Sequence, residues 1–287
     1  MNLRIADLHT HSTCSDGAHS PSQVVRLAAD AGIRILSLTD HDTTRGLSEA
    51  ARTAQGAGVE LVPGIEISSV LDDSDLHILG YFIGSSEELA DYEAMMSEWR
   101  AERLEAIVER LRGTGIDIDA RRVRSRAAGV ATRLHVAQWL VDEGHAHSVS
   151  ACFEELLGPG CVAYVPSGVV PAAEAIAMIH RAGGCASLAH PGDWMTDADI
   201  ELLVRAGLDA VEVVHPAHDE RLTDYYDALT RRKGLLRTGG SDLHSLPDGA
   251  PSRLGKYCVS ADDVKALGAC ASKYGGRVSG GLNQTRQ

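Results

Sequence analysis

The chain has 287 residues and a formal net charge of −13. That is enough for one large α/β domain, alone or with a smaller insert, and too acidic for a broad basic face against duplex nucleic acid. Apolar residues make up 44% but include only two Phe and three Trp, so Leu, Val, Ile and Ala must fill the core.

The six scattered cysteines form no C-x-x-C pair and read as free thiols of a reducing cytosol. Neither a signal peptide nor an apolar run of membrane-spanning length is apparent, so a cytoplasmic location without membrane contact is expected.

In chain order, Leu3, Ile5 and Leu8 mark a first strand that ends in His9-Thr10-His11. Alternate side chains of a strand share a face, so the two imidazoles project together. Asp16 follows on a loop that Gly17 lets turn tightly. Imidazole with carboxylate suits zinc, manganese or iron better than calcium or magnesium alone; two polar histidines at a strand end are the plain alternative. Cys14 lies in the same loop but lacks the second cysteine that a thiolate site would bring.

Ser20-Pro21-Ser22-Gln23 combines an N-cap, a first-turn proline and a capping box, and predicts a helix to Gly32. A strand over 33–38 ends in Thr39-Asp40-His41-Asp42. A helix covers about 47–55. A strand over 59–62 leads through Pro63-Gly64 into Ile65-Glu66-Ile67-Ser68, and strands at 70–71 and 76–82 flank a turn at 72–75 and carry His77. This β-α-β rhythm predicts a parallel sheet or barrel, whose sites form at the carboxyl ends of strands. His9, His11, Asp40, His41 and Glu66 are placed at such ends.

From 86 the rhythm changes to helix: a charged run over 87–111, a basic stretch from Arg121 to Arg126, a helix capped by Thr132, and a short helix around 153–157. Residues 99–166 therefore read as a helical insertion between two barrel portions, 1–98 and 167–287. The rhythm returns at Pro171. Later strands end in His190-Pro191-Gly192, in His215-Pro216-Ala217-His218, and in Asp242-Leu243-His244. No element is assigned after His244, and the tail past Tyr274 is expected to fray.

Nine candidate ligands thus gather at strand ends: His9, His11, Asp16, His41, Glu66, His77, His190, Asp242 and His244. They exceed the needs of one ion and suit two or three divalent metals sharing a bridging carboxylate, for which Glu66 is the best candidate. Asp40 is expected to orient an imidazole and so to serve catalysis. Arg133 and His135 fall in the first turn of the Thr132-capped helix, where anions bind well; a surface arginine and a packing histidine are the alternative. His215 and His218 are candidates to bind phosphate, to protonate a leaving oxygen, or simply to cap a strand end.

His9-Thr10-His11, Asp16-Gly17, Thr39-Asp40-His41-Asp42, Gly64-Ile65-Glu66-Ile67-Ser68, His77-Ile78-Leu79-Gly80-Tyr81, Ala189-His190-Pro191-Gly192 and Gly240-Ser241-Asp242-Leu243-His244 together resemble the ordered signature of the PHP (polymerase and histidinol phosphatase) family. The resemblance implies a distorted (β/α)7 barrel with a trinuclear metal centre that hydrolyses phosphoesters. It implies one metal at His9, His11, Glu66 and Asp242, a second at Glu66, His77 and His190, and a third at Asp16, His41 and His244. Some members carry His where Asp16 stands, which bears on the third site. Manganese is the first expectation, with zinc or iron as alternatives.

Thr132-Arg133-Leu134-His135, Ala163-Tyr164-Val165-Pro166 and the stretch from Glu212 to His218 resemble the stand-alone branch that dephosphorylates 3′,5′-nucleoside bisphosphates, with relatives that trim RNA from its 5′ end. The expectation is a phosphoric monoester hydrolase that removes the 3′-phosphate of such a bisphosphate. The competing expectations are a 5′–3′ exoribonuclease on short RNA ends, a histidinol-phosphate phosphatase, an amidohydrolase, and a metal-loaded regulatory domain without turnover. Oligomeric state stays open.

Overall fold

The computed structural model describes residues 4–72, 74–127, 131–166, 169–245 and 253–276. Its first crossover starts as the sequence predicts. Ser20 accepts from Gln23 N, the Gln23 side chain accepts from Ser20 N, and Pro21 opens α1 (Pro21–Asp30). Val24, Val25 and Ala28 of α1 meet Ala50 and Ala54 of α2 (Leu47–Ala57) and Leu36 and Leu38 of the sheet in one apolar cluster.

β1 (Arg4–Asp7), β2 (Ile35–Leu38) and β3 (Glu60–Leu71) pair in parallel. Pro63-Gly64 does not divide β3, which is one strand of 12 residues. Gly64 is there for close approach, since a Cβ would lie 2.4 Å from Ser37 Oγ. The same holds at Gly17, where a Cβ would lie 2.5 Å from the His11 carbonyl oxygen.

β4 (Ser74–Tyr81) returns antiparallel to β3 and pairs antiparallel with β6 (Cys185–Leu188). β5 (Val170–Pro171) adds to the outer end of β3. β6, β7 (Ala210–Val214) and β8 (Leu236–Gly239) are parallel again, with α7 (Ala172–Arg181), α8 (Asp197–Arg205) and α9 (Glu220–Lys233) as their helices. The sheet order is β8-β7-β6-β4-β3-β2-β1, with β9 (Val259–Ser260) antiparallel on β1. Its two sides meet where Leu8 N donates to Gly239 O at 3.1 Å and Asp242 N to His9 O at 2.9 Å, which nearly closes the barrel. β9 and α10 (Ala261–Ala271) were not expected; the Ser260–Asp263 capping box at the start of α10 was the available signal.

α3 (Glu87–Gly113) carries the chain away from the barrel over 27 residues, about 40 Å. Leu89, Tyr92 and Met96 belong to the barrel core. Leu104, Ile107, Val108 and Leu111 belong to a separate core, shared with Val136, Ala137 and Leu140 of α5 (Arg133–Asp142). α4 (Ala120–Arg124), α6 (Val149–Cys152) and a π-helical turn at Phe153–Leu157 complete the helical part. No helix among the described residues is long and apolar enough to cross a membrane.

One buried ion pair ties the two parts together. Asp42, at φ 54°, accepts from Ser68 N at 2.7 Å, Ser68 Oγ at 2.9 Å and Arg100 Nε at 2.9 Å, and from Tyr92 OH. Burial works to raise the Asp42 carboxyl, but Arg100 and His41 hold it below the ordinary 3.8. A depressed carboxyl contributes stability that is present above its unfolded value and lost as pH falls through its folded one. Arg100→Met should therefore lower unfolding free energy at neutral pH by about 3 kcal/mol, the cost of leaving one buried charge unpaired. Urea midpoints of wild type and mutant should converge as pH drops below 3.8.

Candidate metal centre

Glu66 projects from the middle of β3 with none of its surface exposed. Five imidazoles surround its carboxylate. His9 Nε2 and His11 Nε2 lie 3.1 Å from Oε2, and His41 Nδ1 lies 3.3 Å from it. His77 Nδ1 and His190 Nε2 lie 2.8 and 3.1 Å from Oε1. Glu66 and His77 are inside strands rather than at their ends, because β3 and β4 run on past the barrel rim as a hairpin. β4 points the other way, so its first half reaches the same rim as the exits of the parallel strands.

A second group shares two of these rings. His244 Nε2 lies 3.3 Å from Asp16 Oδ1, and His41 Nε2 and His11 Nδ1 each lie 3.8 Å from Asp16. Asp242 Oδ1 lies 3.4 Å from His9 Nε2 and 3.3 Å from His11 Nε2. All nine expected ligands thus fall into one connected cluster.

The donor set fits divalent cations. Both ring nitrogens of His11 and Nδ1 of His41 are buried without a hydrogen-bonding partner among the described residues, although carboxylate oxygens lie within 3.3 Å of His11 Nε2 and of His41 Nδ1. Orphaned buried polar atoms of this kind cost about 1–3 kcal/mol each, and a cation between ring and oxygen removes that cost. Burial raises Glu66, Asp16 and Asp242, yet the imidazoles around them hold all three well below the usual carboxylate range. Burial pushes His41 down to about 3, so its ring stays neutral and able to ligate. Mixed nitrogen and oxygen donors suit manganese, zinc or iron.

Glu212 is the residue that sequence reasoning missed. It lies wholly buried within β7. Its Oε1 lies 3.0 Å from His9 Nδ1, and its Oε2 accepts from His190 N at 2.8 Å. With the His9 Nδ1–H donated to Glu212, the Nε2 lone pair faces Glu66 and Asp242. The signal was a lone glutamate amid Ala210-Val211 and Val213-Val214, where a buried charge needs a partner.

Two expected roles are corrected. Among the described residues Asp40 makes no hydrogen bond to an imidazole. Its oxygens accept from Ser12 N, Ser12 Oγ and Ser15 Oγ, each at 2.7 Å, and so hold the loop that carries Asp16. His218 spends both nitrogens inside the protein. Nδ1 donates to Val213 O at 3.0 Å and Nε2 accepts from Gly192 N at 3.2 Å, leaving no proton to give a substrate. Burial works in the same direction, lowering its pKa.

His215 stays within reach of the centre. Its Nδ1 accepts from Ala217 N at 3.0 Å, and its Nε2 lies 3.5 Å from Asp242 Oδ2. His135 Nδ1 accepts from Thr132 N at 3.1 Å, which puts the ring proton on Nε2. The Arg121–Arg126 run is a solvated face: Arg124 pairs with Glu105 and Arg126 with Asp142 at exposed positions.

A cavity of about 560 Å³ opens over the cluster, with Asp16, His41, His77 and His244 on one wall and Arg100, Arg103 and Arg133 from the helical part on the other. A second, of about 660 Å³, continues past Arg133 along His77 and His190 to Tyr164 and Trp194. Arg133 stands between them. Its Nη2 lies 3.3 Å from Asp75 Oδ2, and its guanidinium lies 5.6 Å from the Tyr164 ring centre.

Two substitutions test this arrangement by elemental analysis and chelator competition. Glu66→Gln should lower bound metal by more than one equivalent, since one carboxylate faces two groups of ligands. Glu212→Gln should keep the stoichiometry and weaken affinity by about tenfold to a hundredfold. Full occupancy in Glu66→Gln would contradict a bridging carboxylate.

Comparison with known proteins agrees with this geometry. A PHP domain model matches residues 7–123. The 5′-3′ exoribonuclease Rnm of Escherichia coli is 34% identical over 250 residues, 84% of this chain and 85% of that one. The 3′,5′-nucleoside bisphosphate phosphatase of Chromobacterium violaceum is 34% identical over 251 residues, 85% and 88% of the two chains. A crystal structure from Bifidobacterium adolescentis, described as a metal-dependent phosphoesterase, superposes with a TM-score of 0.84 at 29% identity over 93% of this chain and 96% of that one. Five imidazoles on one buried glutamate, in a nearly closed barrel with these relatives, identify the chain as a metal-dependent phosphoesterase that belongs to the PHP family.

Proposed function

We propose that the enzyme removes the 3′-phosphate of 3′,5′-nucleoside bisphosphates, leaving a nucleoside 5′-phosphate and inorganic phosphate. The observation that carries this reading is the cationic wall of the 560 Å³ cavity, which faces the metal ligands. A simple monoester has one phosphate, and the ligand cluster takes it. A wall of arginines opposite that cluster suits a second.

His9, His11, Glu66 and Asp242 would hold one cation, Glu66, His77 and His190 another, and Asp16, His41 and His244 a third. Manganese is the first choice, with zinc or iron as alternatives. Bound cations lower the pKa of a water toward neutrality and neutralise phosphoryl oxygens.

The protein's own groups do the rest. Arg133 offers a two-pronged grip on a phosphate that is bound and not cleaved. His135 presents Nε2–H as a neutral donor beside it. The N-terminus of α5 adds its dipole. His215, with Nδ1 occupied by Ala217 N–H, carries its proton on Nε2 and would give it to the leaving oxygen. The helical part, about 99–166, serves as a cover over the barrel mouth.

The 34% identity to the Escherichia coli exoribonuclease favours a second reading, in which the same wall receives the 5′-terminal phosphate of short RNA. The net charge of −13 weighs against extended RNA, since affinity for a long strand rests on many phosphate contacts.

A panel of adenosine 3′,5′-bisphosphate, short 5′-phosphorylated RNA and an aryl phosphate, assayed with manganese, zinc, iron and magnesium, separates the two. The bisphosphate should give the highest kcat/KM. Faster turnover of RNA would replace the first reading by the second. Arg133→Ala should cost the bisphosphate about tenfold to a hundredfold in kcat/KM, the worth of a charge-assisted contact, and the aryl phosphate far less. Equal losses on both would reject Arg133 as the reader of the second phosphate.

A further inference from the structure

The turn that follows His41 takes its hold from α3. Thr43 Oγ1 donates to Glu93 Oε2 at 3.0 Å, Thr44 N donates to Glu93 Oε1 at 3.0 Å, and Thr44 Oγ1 donates to the same Oε1. Thr43 Oγ1 also accepts from Arg45 N and Nε at 3.2 and 3.1 Å, so its one proton and both lone pairs are committed. Thr43 is buried and Glu93 half-buried. One carboxylate thus collects three donors from two adjacent residues. Tyr92 and Arg100 of the same helix grip Asp42, just before them. Residues 92, 93, 96 and 100 share one helical face, and Met96 of that face lies with Ser15 and His41 along a narrow crevice.

The other two members of the His41 group are set from within the barrel. Asp40 holds the Asp16 loop through Ser12 and Ser15, and Ala18 N donates to His244 O at 2.6 Å. Glu66 and His77 sit in strands whose register is fixed by the backbone ladder between β3 and β4. The turn after His41 has no such ladder. It starts at Asp42 with φ 54°, a conformation that persists only where neighbouring contacts enforce it. Here those contacts come from β3 on one side and from α3 on the other.

We propose that Glu93 is a positioning residue for His41, and that the cation held by Asp16, His41 and His244 binds more tightly because α3 fastens the turn behind His41. The proposal rests on the reading of those three residues as ligands of one cation. A ligand already held in one orientation has less freedom to lose when a cation arrives. The coupling is reciprocal: that cation in turn stabilises the seat of α3 on the barrel. The helical part therefore tunes one cation of the centre as well as lining the cavity above it.

The test loads the full-length protein with manganese and measures each bound equivalent by elemental analysis and chelator competition, with melting temperatures alongside. His41→Ala marks the cation that His41 holds. Glu93→Ala removes the grip on the turn, and Glu93→Gln keeps an acceptor for Thr44 N and Thr44 Oγ1. Glu88→Ala is the control: it breaks another contact of α3, in which Glu88 accepts from Arg181 Nε at 2.8 Å at an exposed position. Glu93→Ala should weaken the cation marked by His41→Ala by about tenfold or more and leave the tighter cations at wild-type affinity. Glu93→Gln should recover part of that loss, and Glu88→Ala should lose nothing. Wild-type affinity for the marked cation in Glu93→Ala would overturn the proposal. So would equal weakening of all cations with a lower melting temperature, the same loss in Glu88→Ala, or no recovery in Glu93→Gln, since each describes a general fault of the fold. The outcome is separable from the ligand reading. Full metal content in His41→Ala removes that reading, and the proposal with it. A loss in His41→Ala without one in Glu93→Ala keeps the reading and removes the proposal alone.

Discussion

Everything at the barrel mouth answers to one buried carboxylate. Glu66 has no solvent and faces imidazoles from the exits of β1 and β2, from β4, and from the exit of β6. A carboxylate and five rings cannot satisfy one another by hydrogen bonds alone, because each oxygen accepts in a limited set of directions. The unpaired nitrogens of His11 and His41 are the residue of that mismatch. Cations between ring and oxygen would resolve it, and the surrounding chain holds the rings in place. Glu212 fixes His9, and Asp40 holds the loop of Asp16. Asp42, His190 and Asp242 accept positive φ values to point their groups inward, a backbone cost that is typical of functional sites.

The helical part is joined to this centre by one face of α3. Arg100 and Arg103 are three residues apart and so share a side of the helix. Arg100 reaches down to Asp42 at the barrel rim, and Arg103 stays at the cavity wall. The same turn of helix therefore ties the helical part to the barrel and lines the cavity with charge. Arg133 comes from another helix and meets the barrel hairpin at Asp75. These two contacts join the helical core to the rim, and the cavity lies between the candidate metal ligands and the arginines.

The sequence alone marked the nine candidate metal ligands, which the fold brings into one cluster, and most of the elements that carry them. His9-Thr10-His11 needs only strand periodicity to become a chelating pair, and Ser20-Pro21-Ser22-Gln23 needs only local capping chemistry to start α1. Such signals involve neighbours in the chain, so they can be read without the fold. Tertiary structure decided what depends on distant partners. Glu212 finds His9 across 203 positions, and His218 gives up its proton-carrying nitrogens to Val213 and Gly192. Nothing adjacent to Asp40 says that it will hold serines and not an imidazole. Gly64 reads as a break until Ser37 is seen against it, and β4 reads as one more strand until its pairing shows that it runs backwards. Arg100 and Arg103 look alike in a charged helix. Among the described residues only the fold gives Arg100 a carboxylate at ion-pair distance and Arg103 none, because counter-ions are assigned by packing in three dimensions and not by position along the chain.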